Sequence, residues 1–117
     1  MTQEKPTDAQ LVALAERLDF TFRYDDMLIA PPGSDDPADL RPVTHLLTWE
    51  GAGAIQAAMA GLGYTRFAVG WIEEEKRWFA HFFVAGQSNY GGKHTRHGYT
   101  GPDAIVLAAC AALGVGE

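Results

Sequence analysis

Apolar side chains recur at i, i+3, i+4 and i+7 in three stretches of the chain, which is the spacing of one buried helix face. These stretches are residues 7–19, 49–62 and 102–113, and each predicts a helix. The third stretch carries no charge between Asp103 and Glu117. A helix that is apolar nearly all round is either enclosed by its own chain or meets a second one.

A threonine stands at the start of each predicted helix, at Thr7, Thr48 and Thr100. Its side-chain oxygen can accept a hydrogen bond from a backbone N–H of the first turn, which is the usual way to cap a helix. Gln10 and Asp103 follow two of these threonines by three residues, in the spacing of a capping box. The sequence therefore marks the start of each predicted helix.

Residues 65–85 have the composition of a β-hairpin that turns at three charged residues. Aromatic and β-branched side chains fall on both faces of the two strands, without the clean alternation of a half-solvated sheet. We therefore expect helices to cover both faces of the hairpin. Phe67, Trp71, Trp78 and Phe82 are expected to be buried.

The remaining segments connect these elements. Residues 20–30 are predicted to be extended, with a small hairpin at their centre, while the proline- and aspartate-rich residues 31–47 and the glycine-rich residues 86–101 are predicted loops. The 117 residues are expected to form a single α+β domain. Its predicted arrangement is a layered α/β/α sandwich in which three helices cover a central antiparallel hairpin.

The charge of the chain is −6 and is unevenly distributed. Residues 1–50 carry ten acidic and four basic side chains, whereas residues 51–117 carry five of each. This acidity argues against direct nucleic-acid binding, because phosphate recognition needs a basic face. It favours either a solvated surface or an acidic patch that faces a basic partner.

Cysteine content and hydropathy bear on the compartment. Cys110 is the single cysteine, so the chain cannot form an internal disulfide. The first ten residues lack the basic and apolar regions of a secretory signal. The longest uncharged apolar run, residues 104–116, is shorter than the roughly 20 residues that span a membrane. We expect a cytoplasmic protein without a membrane association.

Residue patterns for catalysis, metals and cofactors give no positive signal. The spacing of His94 and His97 can hold zinc, but a structural zinc site usually has a second pair of ligands. Cys110 lies among alanines, where a thiol behaves as a small apolar side chain. The sequence predicts a protein that is not an enzyme, with no metal and no cofactor.

Residues 87–100 are the best candidate for a binding site, because they gather basic and aromatic side chains in an otherwise acidic chain. The candidate residues are Tyr90, Lys93, His94, Arg96, His97 and Tyr99. This segment leads into a predicted helix N-terminus, where free N–H groups favour anions. The alternative interpretation is a polar connection whose charges cluster without a function.

Several motifs resemble those of the phage ABA sandwich domain, a family of small proteins encoded by phages and prophages. They are Ala30-Pro31-Pro32 ahead of the middle helix, Gly61-Leu62-Gly63-Tyr64 at its end, the aromatic hairpin, and the alanine-rich helix that follows Thr100. The resemblance implies a layered sandwich and an accessory role in the phage. It supplies no functional residues.

A second resemblance is to double-stranded-RNA-binding domains, which share the helix, strand, strand, helix order of residues 49–113. Those domains place lysines at the start of the last helix to bind phosphates. Here Pro102, Asp103 and Ala104 occupy that position, so the charge that phosphate binding requires is missing.

These observations lead to a functional expectation. The protein is expected to be a phage or prophage accessory protein in the host bacterial cytoplasm that binds a host protein, for example as an inhibitor of a defence system such as CRISPR. A phosphate or nucleotide binder that uses residues 87–100 is the first alternative, and a structural phage component is the second. The apolar last helix also predicts a homodimer, since two-fold dimers are the commonest assemblies.

Overall fold

The computed structural model describes residues 5–23, 25–34, 36–83 and 95–115. These residues contain three α-helices: α1 (Asp8–Arg17), α2 (Trp49–Gly61) and α3 (Gly101–Leu113). Six strands accompany them: β1 (Thr21–Arg23), β2 (Leu28–Ala30), β3 (Arg41–Pro42), β4 (Arg66–Ile72), β5 (Arg77–Phe83) and β6 (Arg96–Gly98). Two short 3₁₀ helices, Pro37–Asp39 and Val43–Leu47, lie between β2 and α2. The α+β class predicted from the sequence is confirmed.

The predicted threonine caps are present. The Thr7 hydroxyl accepts from the backbone N–H of Gln10 at 3.1 Å, and the Gln10 side chain accepts from the Thr7 N–H at 2.9 Å. Thr48 accepts from the Gly51 N–H in the same way at the start of α2. These contacts satisfy N–H groups that the helix itself leaves unpaired.

The strands form two antiparallel sheets. The first has the order β1-β2-β3 and the second has the order β4-β5-β6. In the second sheet Phe67 lies opposite Phe82, and Trp71 lies opposite Trp78. These four side chains share one face of the sheet, as their alternation in the sequence predicts.

The core lies between that face and α3. Residues 101–111 of α3 are buried, and α3 packs mainly on β5 and β6. Gly98 of β6 allows the close approach, because a β-carbon there would lie 2.5 Å from the backbone nitrogen of Ala104. Helices α1 and α2 also contact α3 and complete the core.

One prediction about the layers is not confirmed, and the predictions of two loops need correction. The layered sandwich, with helices on both faces of the hairpin, is not confirmed, since in the described residues α3 covers one face and α1 and α2 pack on α3. The predicted loops 31–47 and 86–101 contain regular structure, including the strand β6. Such short strands exist because a neighbouring strand supplies their hydrogen bonds, and three residues carry too little pattern to show it.

The burial of the hairpin aromatics also differs from the prediction. Phe82 is buried at 1% exposure, and Phe67 and Trp78 are partly buried. Trp71, which was expected to be buried, is 46% exposed. It lies on β4, which has fewer contacts with α3 than β5 and β6 have, so this end of the face lacks cover.

The lack of charge along α3 is explained within the monomer. Because its own chain encloses residues 101–111, the apolar sequence needs no second copy to bury it. A homodimer through this helix stays a prediction. Of the helices in the described part of the chain, none has both the length and the apolar character needed to cross a membrane.

Candidate functional site

Three of the six predicted binding residues can be placed in the structure. Tyr90, Lys93 and His94 lie outside the described residues. Arg96 and His97 belong to β6, and Tyr99 follows the end of that strand. The prediction that these six side chains form one binding site therefore has to be judged on the last three.

Arg96 and His97 do not converge. Arg96 pairs with Ala80 and His97 pairs with Phe79, and neighbouring residues of a strand point to opposite faces of the sheet. The Arg96 guanidinium donates to the carbonyl of Thr95 at 3.0 Å. The pair that looked like one basic cluster in the sequence is thus divided between the two faces.

The N-terminus of α3 also differs from an open anion site. The Thr100 hydroxyl accepts from the Asp103 N–H at 3.1 Å, so one of the free donors of this terminus is already used. Asp103 is buried in the same turn. An acidic side chain in the first turn is favoured by the helix N-terminus, so Asp103 already occupies a position that an anion would need. The described residues therefore give no support for an anion held at this helix.

The three tryptophans of the chain form one surface instead. Trp78 is at its centre, with ring centroids 5.6 Å from Trp49 and 5.9 Å from Trp71, both in edge-to-face orientation. Trp49 is 56% exposed and Trp71 is 46% exposed. Tyr99 is 66% exposed, but it follows Gly98, the residue that pairs with Trp78, and therefore does not share the face of Trp78. We call Trp49, Trp71 and Trp78 the tryptophan surface.

Backbone geometry fixes the position of Trp49. It is the first residue of α2, which Thr48 caps, so the helix start sets the direction of its side chain. Its ring lies against Gly101 at the start of α3, where a β-carbon would come within 2.1 Å of the ring carbon Cη2. The absence of a side chain at Gly101 lets the indole pack on the first turn of α3.

A hydrogen bond fixes Trp71. Its indole nitrogen donates to Oε2 of Glu73 at 2.7 Å, and Lys76 donates to the other carboxylate oxygen. The Lys76 ammonium, and after it the Trp71 indole, hold the pKa of Glu73 below its usual range. Glu73 therefore stays ionised at neutral pH and accepts a hydrogen bond that favours this orientation of the exposed indole.

Carboxylates lie at one end of the tryptophan surface. Glu73, Glu74 and Glu75 belong to the turn that follows β4, the strand of Trp71. Lys76 and Arg77 also lie at this turn, where they pair with Glu73 and Glu75. Three acidic side chains thus lie beside two basic ones, and Glu74 is exposed. This end of the surface is acidic overall.

A separate cleft lies between the first sheet and α2. It has a volume of about 60 Å³ and is lined mostly by apolar side chains such as Phe20, Ile29 and Leu46. His45 and Glu50 line it as well, with 3.7 Å between the imidazole Nε2 and the carboxylate. Pockets for small-molecule ligands usually enclose about 300–1,000 Å³. This cleft is too small for such a ligand.

One signal in the sequence points to the tryptophan surface. Three of the 117 residues are tryptophans, and two of them, Trp71 and Trp78, flank the charged turn at residues 73–77. The burial of Trp71 was expected because helices were predicted on both faces of the hairpin. Within the described ranges, no three histidine, cysteine, aspartate or glutamate side chains come together as a metal site, and His94 lies outside those ranges.

Comparison with known proteins adds no relative. No family model, no curated protein and no solved structure matches the chain.

Proposed function

We propose that this is a binding protein without catalytic activity, and that its tryptophan surface binds a cationic segment of a partner protein. The observation that supports this most is the exposure of Trp49 and Trp71 on either side of Trp78. Contiguous apolar surface of this kind is unusual on a protein that acts alone, and it commonly marks an interaction site.

The residue type suits protein recognition. Tryptophan is prominent among the few interface residues that carry most of the binding energy. It combines a large apolar area with a polar group. Because Glu73 holds Trp71 and Gly101 receives Trp49, two of these rings are already ordered before a partner arrives. A preformed surface loses less conformational entropy on binding.

The charge beside the tryptophan surface supports a cationic partner. Lysine and arginine side chains bind over the faces of tryptophan rings, and this attraction is strongest when the site excludes water. Glu74 adds an exposed carboxylate at the edge of the surface, where complementary charge speeds association and selects partners. The net charge of −6 extends the same preference to the whole molecule.

The resemblance to phage ABA sandwich domains gives this proposal a setting. In that setting the partner is a host protein, and the protein acts as a phage accessory factor. A defence component that uses a basic surface to hold nucleic acid has the matching charge, and an acidic protein bound there blocks that surface. This wider role rests on the resemblance, whereas the surface proposal rests on the rings and carboxylates.

A defined peptide tests the surface proposal. The probe alternates lysine with apolar residues, and the control peptide replaces each lysine with glutamate. Calorimetry with the unmodified protein should detect the lysine peptide and not the control. Trp71→Ala should weaken binding at least about fivefold, since removing an interface tryptophan of this kind typically costs more than about 1 kcal/mol.

Leu62→Ala is the matched control variant. Leu62 is 46% exposed, as Trp71 is, but it lies at the far end of α2 and outside the tryptophan surface. Its removal should leave peptide affinity unchanged. Equal affinity of the unmodified protein and Trp71→Ala, or equal binding of the two peptides, would contradict the proposal.

A further inference from the structure

Strand β4 has an open edge. It pairs with β5 along its whole length from Arg66 to Ile72, and no strand in the described part of the chain pairs with its other side. Its residues are exposed or only partly buried, including the small Ala68 and Gly70. On alternate residues of this strand the backbone N–H and C=O groups point away from β5. These groups are a template on which another strand can form.

The usual protection of an edge strand is missing here. Natural edge strands carry proline, lysine or an inward-pointing charge that blocks pairing with another chain. Residues 67–72 contain no proline and no charged side chain, and they alternate small and large apolar residues. Residues 67–72 of β4 therefore carry nothing that would block pairing with another strand.

We propose that β4 pairs antiparallel with β4 of a second copy, so that the two three-stranded sheets join into one of six strands. The two-fold axis passes through Val69, which then faces its own copy. Phe67 lies opposite Trp71 of the second copy, and Ala68 lies opposite Gly70. Large aromatic residues thus meet at the outer pairs, where cross-strand aromatic contacts stabilise sheets.

The charges at the two ends of β4 favour a second copy in this orientation. The strand begins with the exposed Arg66, and it ends at the acidic turn that contains Glu74. Antiparallel pairing brings Arg66 of each chain close to Glu74 of the other, because Arg66 lies opposite Ile72. The complementarity occurs twice across the axis. A self-complementary patch is the requirement for a two-fold dimer.

This dimer would also change the tryptophan surface. Phe67 of the second copy would pack beside Trp71 and contribute a residue to each of the two surfaces. The dimer would carry both surfaces on one continuous sheet, so that a partner with two cationic segments could bind both of them. Simultaneous binding of this kind raises overall affinity without any new contact.

Disulfide trapping tests the strand register. Val69→Cys should form a covalent dimer under mild oxidation, because facing residues of antiparallel strands have Cα atoms about 4.5–5.5 Å apart. Cys110 is buried and can stay in place. In Arg66→Cys the two thiols would be six residues apart along the strands, or roughly 20 Å, which is too far to bridge.

A covalent dimer of Val69→Cys without one of Arg66→Cys supports the proposal. Equal trapping of both variants, or of neither while circular dichroism shows a folded protein, overturns it.

Light scattering measures dimerisation independently, in variants whose substitutions lie at exposed residues. Arg66→Glu should weaken dimerisation about tenfold, since it replaces two attractions with two repulsions.

The double variant Arg66→Glu with Glu74→Arg separates the interchain charges from the contact that Arg66 makes within its own chain. The guanidinium carbon of Arg66 lies 5.6 Å from the centre of the Phe83 ring, and both variants lose that contact. The double variant should recover the dimer, because it restores opposite charges across the axis. A strictly monomeric unmodified protein, or no recovery in the double variant, overturns the proposal.

Discussion

Two ends of one sheet face behave very differently in this protein. At one end, Phe82 and Ala80 are fully buried beneath α3, and at the other end Trp71 is half exposed although it belongs to the same face. Trp78 lies between them and contacts Trp71 and Trp49. The sheet supplies both ends with large apolar side chains, but α3 covers only one. The covered end stabilises the fold, and we attribute binding to the other.

The largest expected effect is on stability at the covered end. Phe82→Ala should lower the free energy of unfolding by about 3–5 kcal/mol, the usual cost of a cavity at a fully buried phenylalanine. Trp71→Ala should cost under about 1 kcal/mol, because much of the ring already contacts water and no cavity is left. Urea denaturation of both variants measures the two values. Similar losses would show that Trp71 is a core residue and would remove the distinction.

Substitutions at two glycines, Gly98 and Gly101, should distinguish the covered end from the exposed end by a smaller change in stability. A β-carbon at Gly98 would meet the backbone of α3, which cannot move away, so Gly98→Ala should destabilise the protein by about 1–3 kcal/mol. At Gly101 it would meet the outer end of the exposed Trp49 ring. That ring can rotate into water, so Gly101→Ala should cost less stability and should instead weaken peptide binding.

Thermal unfolding and the peptide titration together measure both glycine variants. If Gly101→Ala is as destabilising as Gly98→Ala and leaves peptide binding intact, Trp49 belongs to the fold and has no part in binding.

The sequence predicted those parts of the fold that local chemistry decides. The caps at Thr7 and Thr48 follow from hydroxyl groups placed one residue before an apolar helix pattern. The long strands β4 and β5 follow from their aromatic and β-branched residues. These signals lie within a few residues of each other along the chain. No other element is needed to interpret them.

The sequence did not predict features that depend on which surface a distant segment covers, such as the exposure of Trp71. Strict alternation shows that Trp71 and Phe82 share a face, but it cannot show how far α3 extends across that face. For the same reason it could not show that residues 96–98 form a strand. Once they do, Arg96 and His97 must point in opposite directions, and the basic cluster predicted from neighbouring positions is divided.

The indole N–H signals of the three tryptophans test the central claim most directly. Proton–nitrogen NMR spectra of labelled protein would follow these signals while the lysine peptide is added. Our account predicts that the Trp49 and Trp71 signals shift together and saturate at the concentration at which calorimetry detects binding. If the peptide binds while both signals stay fixed and the shifts map to another part of the molecule, the tryptophan surface is not the binding site.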